Sequence, residues 1–207
     1  MTVPMEVYDE DSLKGRLSLL DRDAKTAFAA ACAESLVPLH GRYWSRAGLS
    51  GEAARSRDIL DSAWDVASNG TSDVSSLDLE AAAFGPSDED EWVFDMGYAQ
   101  NGAAAVAYAI RTWLTDDAQE AAWAARQVHE AAEYSASQPD LVPGEVIVEK
   151  VSDRWARSAG LDALPSVQSA RAFLEQALRT CEANPSSWDE LRELARSAGQ
   201  LWDSSFR

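Results

Sequence analysis

The sequence predicts an all-α fold, a single-domain multi-helix bundle of about seven to nine helices covering residues 1–207. Three observations carry that expectation. Apolar residues recur at helical spacing in every long segment, and Gly, Pro and capping residues punctuate them at intervals typical of globular helices. Strand-like composition is confined to 145–151, where a lone strand has no partner. At 207 residues the chain is long enough to bury about 70% of its unfolded surface without a disulfide or a metal.

Residues 1–10 are expected to form a flexible N-terminal segment. Leu13, Leu17 and Leu20 mark the first helix. From Asp23 to Arg46, one side carries Phe28, Ala31, Cys32, Leu36, Leu39 and Tyr43. Pro38 removes a backbone donor there and is expected to kink the helix or split it. Ser50 is placed to cap a third helix with the stripe Ile59, Leu60, Ala63, Trp64 and Ala67, stopped by Asn69-Gly70. A short helix over Leu77 to Phe84 should end at Gly85-Pro86.

Ser87 and Asp90 have capping-box spacing, and Asp88 to Glu91 suit the first turn of a helix running to Leu114. Its stripe of Met96, Ala99, Ala103, Val106, Ile110 and Trp113 is rich in small residues, as a central helix requires. Thr115 is read as opening the next helix, with Asp116 and Asp117 in its first turn and its end near Ser137. Pro139, Pro143 and Gly144 make a loop. Val146, Ile147, Val148 and Val151 suit a strand, but Val148, Val151 and Trp155 continue at helical spacing, so a helix is expected. Pro165 starts the next, with Val167, Ala170, Phe173, Leu174, Ala177 and Cys181 inside. Ser187 and Glu190 form a capping box for a last helix that buries Leu191, Leu194, Ala198 and Leu201.

Charge is unevenly distributed. Between Asp58 and Glu149 stand nineteen acidic residues and two basic ones, Arg111 and Arg126, which accounts for the net charge of −17. Such a field attracts cationic partners and repels nucleic acid and anionic membranes. With 46% hydrophobic residues and eight tryptophans, the acids belong on a folded surface and not in a disordered tail. Asp88, Glu89, Asp90, Glu91 and Asp95, with Trp92 as an aromatic anchor, are the expected partner-binding patch. Neither a secretory signal nor an apolar run of membrane-spanning length is present, so a cytoplasmic protein is expected. Arginine exceeds lysine fifteen to three and alanine is abundant, a bacterial, GC-rich pattern.

Catalytic constellations are missing. His40 and His129 stand apart from each other and from the two cysteines, and are expected at the surface or the edge of the core. Cys32 and Cys181 are expected to be reduced core thiols. Zinc spacing, a phosphate loop and a nucleophile elbow are all absent, so no cofactor and no transition metal are expected. Asp58, Asp61 and Asp65 share one helix face, near Glu34, with Arg42, Arg46, Arg55 and Arg57 available to answer them. They make either a solvated face with a half-buried Glu34–Arg57 pair, or a divalent-cation or general-base site.

Phe28, Cys32, Glu34 and Pro38, then Gly48, Arg57, Ile59-Leu60-Asp61 and Trp64, then Pro86, Ala99-x-Asn101 to Ala103 and Pro165-x-Val167, resemble the YjaG-like family of bacterial helical proteins. Asn101 stands where that family tends to have Asp. The resemblance spans roughly residues 13 to 183 and implies an all-helical cytoplasmic domain, with no assigned activity.

From these residues the expected function is non-catalytic: an acidic helical protein that engages a basic protein, as an immunity or antitoxin-type inhibitor or an adaptor does. Two alternatives stand beside it. One is a small-molecule or divalent-cation-dependent enzyme built on Glu34, Asp58, Asp61 and Arg57; the other is a homo-oligomer joined through Trp-bearing helices.

Overall fold

A computed structural model describes residues 8–70, 72–86, 93–137 and 164–206. Among these the chain is all-helical: α1 Glu10–Leu17, α2 Arg22–Ala47, α3 Ser50–Asn69, α4 Leu77–Ala82, α5 Asp95–Thr115, α6 Ala118–Ser137, α7 Pro165–Glu182 and α8 Asp189–Ser205. The 145–151 segment, the Ser87–Asp90 capping spacing and residues 1–7 lie outside the described residues. Of the segment expected to be flexible, Glu10 already opens α1, because the Asp9 carboxylate accepts the Ser12 amide at 3.1 Å.

The most enclosed helix of the bundle is α2, and α5, whose small-residue stripe marks it as a central helix, packs against it and against α3, α4 and α6. Every residue from Ala24 to Leu36 is buried, so no face of this stretch meets water. The helix packs against α3, α5, α6, α7 and α8. Asp21 caps its start by accepting the Ala24 amide at 2.8 Å, and Gly48 ends it in the left-handed region at φ 72°.

Pro38 does not split α2, which is a single helix through that position. Tertiary packing overrides the local cost of about 3 kcal/mol. On one side α8 presses against it through Gly199, where a Cβ would stand 2.6 Å from the Ser35 carbonyl oxygen and 3.1 Å from the proline ring. In the same way α5 approaches its neighbours through Gly97, seated on the Tyr134 ring, and Gly102, seated on His40.

Several helix ends differ from expectation. Ser50 lies inside α3 and does not cap it. Thr115 closes α5 instead of opening α6, and Asp116 follows it in the left-handed region at φ 57°, held by Lys25, whose Nζ donates to the Asp116 carbonyl at 2.9 Å. Ser187 does not pair with Glu190; its hydroxyl accepts the Asp189 amide at 3.2 Å, and α8 starts there. The buried face of α8 is Leu191, Ala195, Gly199 and Trp202, one residue out of phase with the expected stripe at its C-terminal end, so Leu201 is 57% exposed. Trp202 claims the core position because its indole both buries a large surface and donates to Ser169 Oγ at 3.0 Å.

Most of the buried apolar side chains form one contiguous core. Trp64, Trp188 and Trp202 are in it, Trp44 is buried beside His40, and Trp113 and Trp123 are half-buried. Cys32 and Cys181 are free and buried, and burial pushes both thiols up, Cys181 to about 12.

Candidate functional site: a carboxylate held by three arginines

Glu34 sits near the middle of α2 and only 4% of it is exposed. A buried carboxylate is costly unless cations and donors replace its water. Arg57 of α3 supplies them in fork geometry, Nη1 to Oε1 and Nη2 to Oε2, both at 2.8 Å. The Trp64 indole donates to Oε2 at 2.9 Å, and Arg196 of α8 donates to Oε1 at 3.2 Å. Arg192 lies 3.5 Å from Oε2 and places its guanidinium over the Trp64 ring. Asp61, half-exposed, accepts from Arg57 at 2.9 Å and from Arg192.

Three helices are thus tied through one carboxylate. Burial would raise the Glu34 carboxyl, but Arg57, Trp64 and Arg196 outweigh it and hold the group below the ordinary glutamate range. Both oxygens are filled by donors, so the group has no lone pair directed at a substrate proton or a cation. The arrangement is suited to locking α3 and α8 onto α2, and unsuited to general-base chemistry.

Of the sequence-predicted cluster, Glu34, Arg57 and Asp61 come together. Asp58 and Asp65 do not join them: both are exposed on the outer face of α3. Among the other arginines expected to answer that row, Arg42 binds Asp203, Arg46 binds Asp95 and Arg55 binds Glu80. Sequence reasoning missed Arg192 and Arg196. Their spacing of four residues puts them on one face of α8, but nothing in a sequence says which buried acid that face meets.

The expected partner-binding patch is altered in one member. Asp95 is fully buried, its Oδ2 bound by Arg46 Nη2 at 2.8 Å and Nε at 2.9 Å, so it is not available to a partner. Its place in the first turn of a buried helix explains this, since the turn packs against α2. Asp88, Glu89, Asp90, Glu91 and Trp92 lie outside the described residues. The histidines are also corrected: His40 and His129 are both buried, because His40 stacks on Trp44 at 3.5 Å and His129 on Tyr8 at 4.3 Å. Among the described residues no group of three His, Cys, Asp or Glu side chains could hold a metal ion.

The fold also rearranges the charge seen in the sequence. Arg16, Arg22, Arg42, Arg46, Arg55, Arg57, Arg111, Arg126, Arg179, Arg192 and Arg196 each lie within 4.0 Å of a carboxylate, several of them reaching the acid-rich stretch from outside it. Arg46, Arg55, Arg57 and Lys25 bind Asp95, Glu80, Asp61 and Asp116 in this way. Asp58, Asp65, Asp73 and Asp117 remain exposed with no described cation in ion-pair reach. No helix among the described residues is long and apolar enough to cross a membrane.

The sequence matches no protein-family model and no curated protein. In structure the chain is similar to a DUF416 family protein from Shewanella baltica OS155, with a TM-score of 0.67 and 16% identity over 91% of this chain and 93% of that one. That likeness shows the shared all-helical fold, which spans nearly the whole of both chains.

Proposed function

We propose that this is a cytoplasmic, non-catalytic binding protein whose acidic surface engages a basic protein, in the manner of an inhibitor or adaptor. One observation carries the reading: arginines are drawn into ion pairs between helices, while the surplus charge, Asp58, Asp65, Asp73 and Asp117, faces solvent. A fold that spends its cations internally presents a negative field to partners. Asp88, Glu89, Asp90, Glu91 and Trp92 are part of the same proposed surface. The saturation of Glu34 supports the non-catalytic half of the reading, because the best enzyme candidate has no free oxygen to work with.

Affinity capture from a bacterial lysate, with the parent and an Asp58→Lys/Asp65→Lys variant compared side by side, tests this. The expected result is a basic protein held by the parent and depleted from the variant, with the melting temperature of the variant within a few degrees of the parent. Capture of an acidic partner, or equal capture by both, argues against it.

A further inference from the structure

Helix α1 is attached to the bundle by few groups, most of them partly exposed. Of its eight residues only Leu13 and Leu17 are buried, whereas every residue of α2 from Ala24 to Leu36 is. A helix of two turns does not hold its shape alone. Gly15 weakens it further, and no neighbour requires a glycine there, since a Cβ would meet nothing within 4 Å. The packing partner of α1 is α6: the Tyr8 ring, just before the helix, stacks on His129 at 4.3 Å, and Glu10 accepts from Gln119 at 2.9 Å. Arg16 ties α1 to α7. It forks Glu182 through Nε and Nη2, at 2.7 and 2.9 Å, and reaches Glu175 through Nη1 at 2.7 Å.

We propose that α1 is a strap, which opens as a unit while α2 to α8 stay folded, and that Arg16 is the latch that sets how often it does so. Stability is local, and an element that buries two leucines opens at a lower cost than one enclosed on every side. Opening lifts Tyr8 off the His129 ring and uncovers the face of α6 beneath α1. The side chains of Arg16 and Glu182 are 30% and 36% exposed, so salt screens the attraction between them. The strap is therefore salt-sensitive.

Native-state hydrogen exchange on the whole chain tests this. The amides of Leu13 and Ser18, bonded to the Asp9 and Lys14 carbonyls, report on α1, and those of Phe28 to Leu36 report on α2. The α1 amides should exchange through an opening with a shallow urea dependence, and the α2 amides through global unfolding with a steep one. Glu34→Gln acts on contacts that survive the opening of α1, so it should lower α2 protection about a hundredfold and leave α1 protection unchanged. Arg16→Met keeps the apolar stem and strands no buried charge, because Glu175 retains Arg179 at 2.7 Å and Glu182 is exposed. It should lower α1 protection about tenfold, whereas Gly15→Ala should raise it about two- to fivefold. Raising salt from about 0.05 to 0.5 M should lower α1 protection in the parent more than in Arg16→Met. If Glu34→Gln does not fold, the urea slopes of the parent decide. Equal urea slopes in α1 and α2, a Glu34→Gln effect of the same factor on both, or α1 exchange in Arg16→Met indistinguishable from the parent would each overturn the proposal.

Discussion

Replacing Glu34 by Gln is the sharpest perturbation of the arginine cluster, because it removes the charge and keeps the shape. The carboxylate accepts four hydrogen bonds, from Arg57 twice, Trp64 and Arg196. A glutamine can accept through one oxygen only and turns an amide N–H₂ toward a guanidinium that also donates. Breaking a buried pair by removing one partner costs about 3–5 kcal/mol. The side chains of Arg57 and Arg196 are 30% and 47% exposed, so they recover some hydration, and the low end, about 3 kcal/mol, is expected. In urea unfolding this is a lower midpoint at unchanged slope, and in thermal unfolding a drop of about 6–12 °C. The pH dependence has a definite sign. Glu34 is held below its unfolded value of about 4.3, so its stabilising contribution is present above that pH and is lost as pH falls through the lower, folded value. The gap between parent and Glu34→Gln should therefore be full at pH 7, begin to narrow as pH falls below the unfolded value, and close only once pH has fallen through the lower, folded one. A loss under about 0.5 kcal/mol at pH 7, or a gap that does not narrow in acid, would refute the lock.

Other parts of the fold give further expectations. Gly199→Ala places a methyl against the Ser35 carbonyl and Pro38 and should cost about 1–3 kcal/mol, read by urea unfolding; a neutral result would mean that α8 does not seat there. Burial lowers the His40 ring to about 3, against about 6.5 unfolded, so the unfolded chain binds this proton first and stability should fall as pH drops from about 6.5 toward 3. Histidine NMR checks this: a His40 ring that protonates near pH 6 in the folded protein contradicts the burial. Cys32 and Cys181 are buried with raised pKa values, and a disulfide exchange reagent should modify them no faster than the chain unfolds. Rapid labelling under native conditions would show a more open core.

Period and punctuation made much of this architecture legible. Asn69-Gly70 stops α3 as expected, Pro165 opens α7, and the α3 and α7 stripes are buried as their spacing requires, as is the α2 stripe except for Tyr43, which is half-buried. The errors fall where two local signals compete. Thr115 and Asp116 read equally well as a helix start or as the left-handed end of the helix before, and Lys25, 91 residues away in sequence, settles it by binding the Asp116 carbonyl. At the C-terminus, Leu201 and Trp202 are adjacent apolar residues, and only the partner on α7 decides which turns inward. The Glu34–Arg57 pair was readable because its members sit on neighbouring helices. Arg192 and Arg196 were not, since tertiary packing alone brings α8 to Glu34. For the same reason the run of acids between Asp58 and Glu149 overstated the charged surface: Asp95 vanished into the core beside Arg46.

The central claim is that an acidic surface recruits a basic protein, and the association rate of the captured partner as a function of salt tests it most directly. Raising salt from about 0.05 to 0.5 M shortens the Debye length from about 14 to about 4 Å. The account predicts an association rate that falls steeply over that range and falls again when Asp88, Glu89, Asp90 and Glu91 are reversed to Lys, while the dissociation rate changes little. Trp92→Ala should instead act on the dissociation rate. An association rate indifferent to salt and to those reversals would contradict the account.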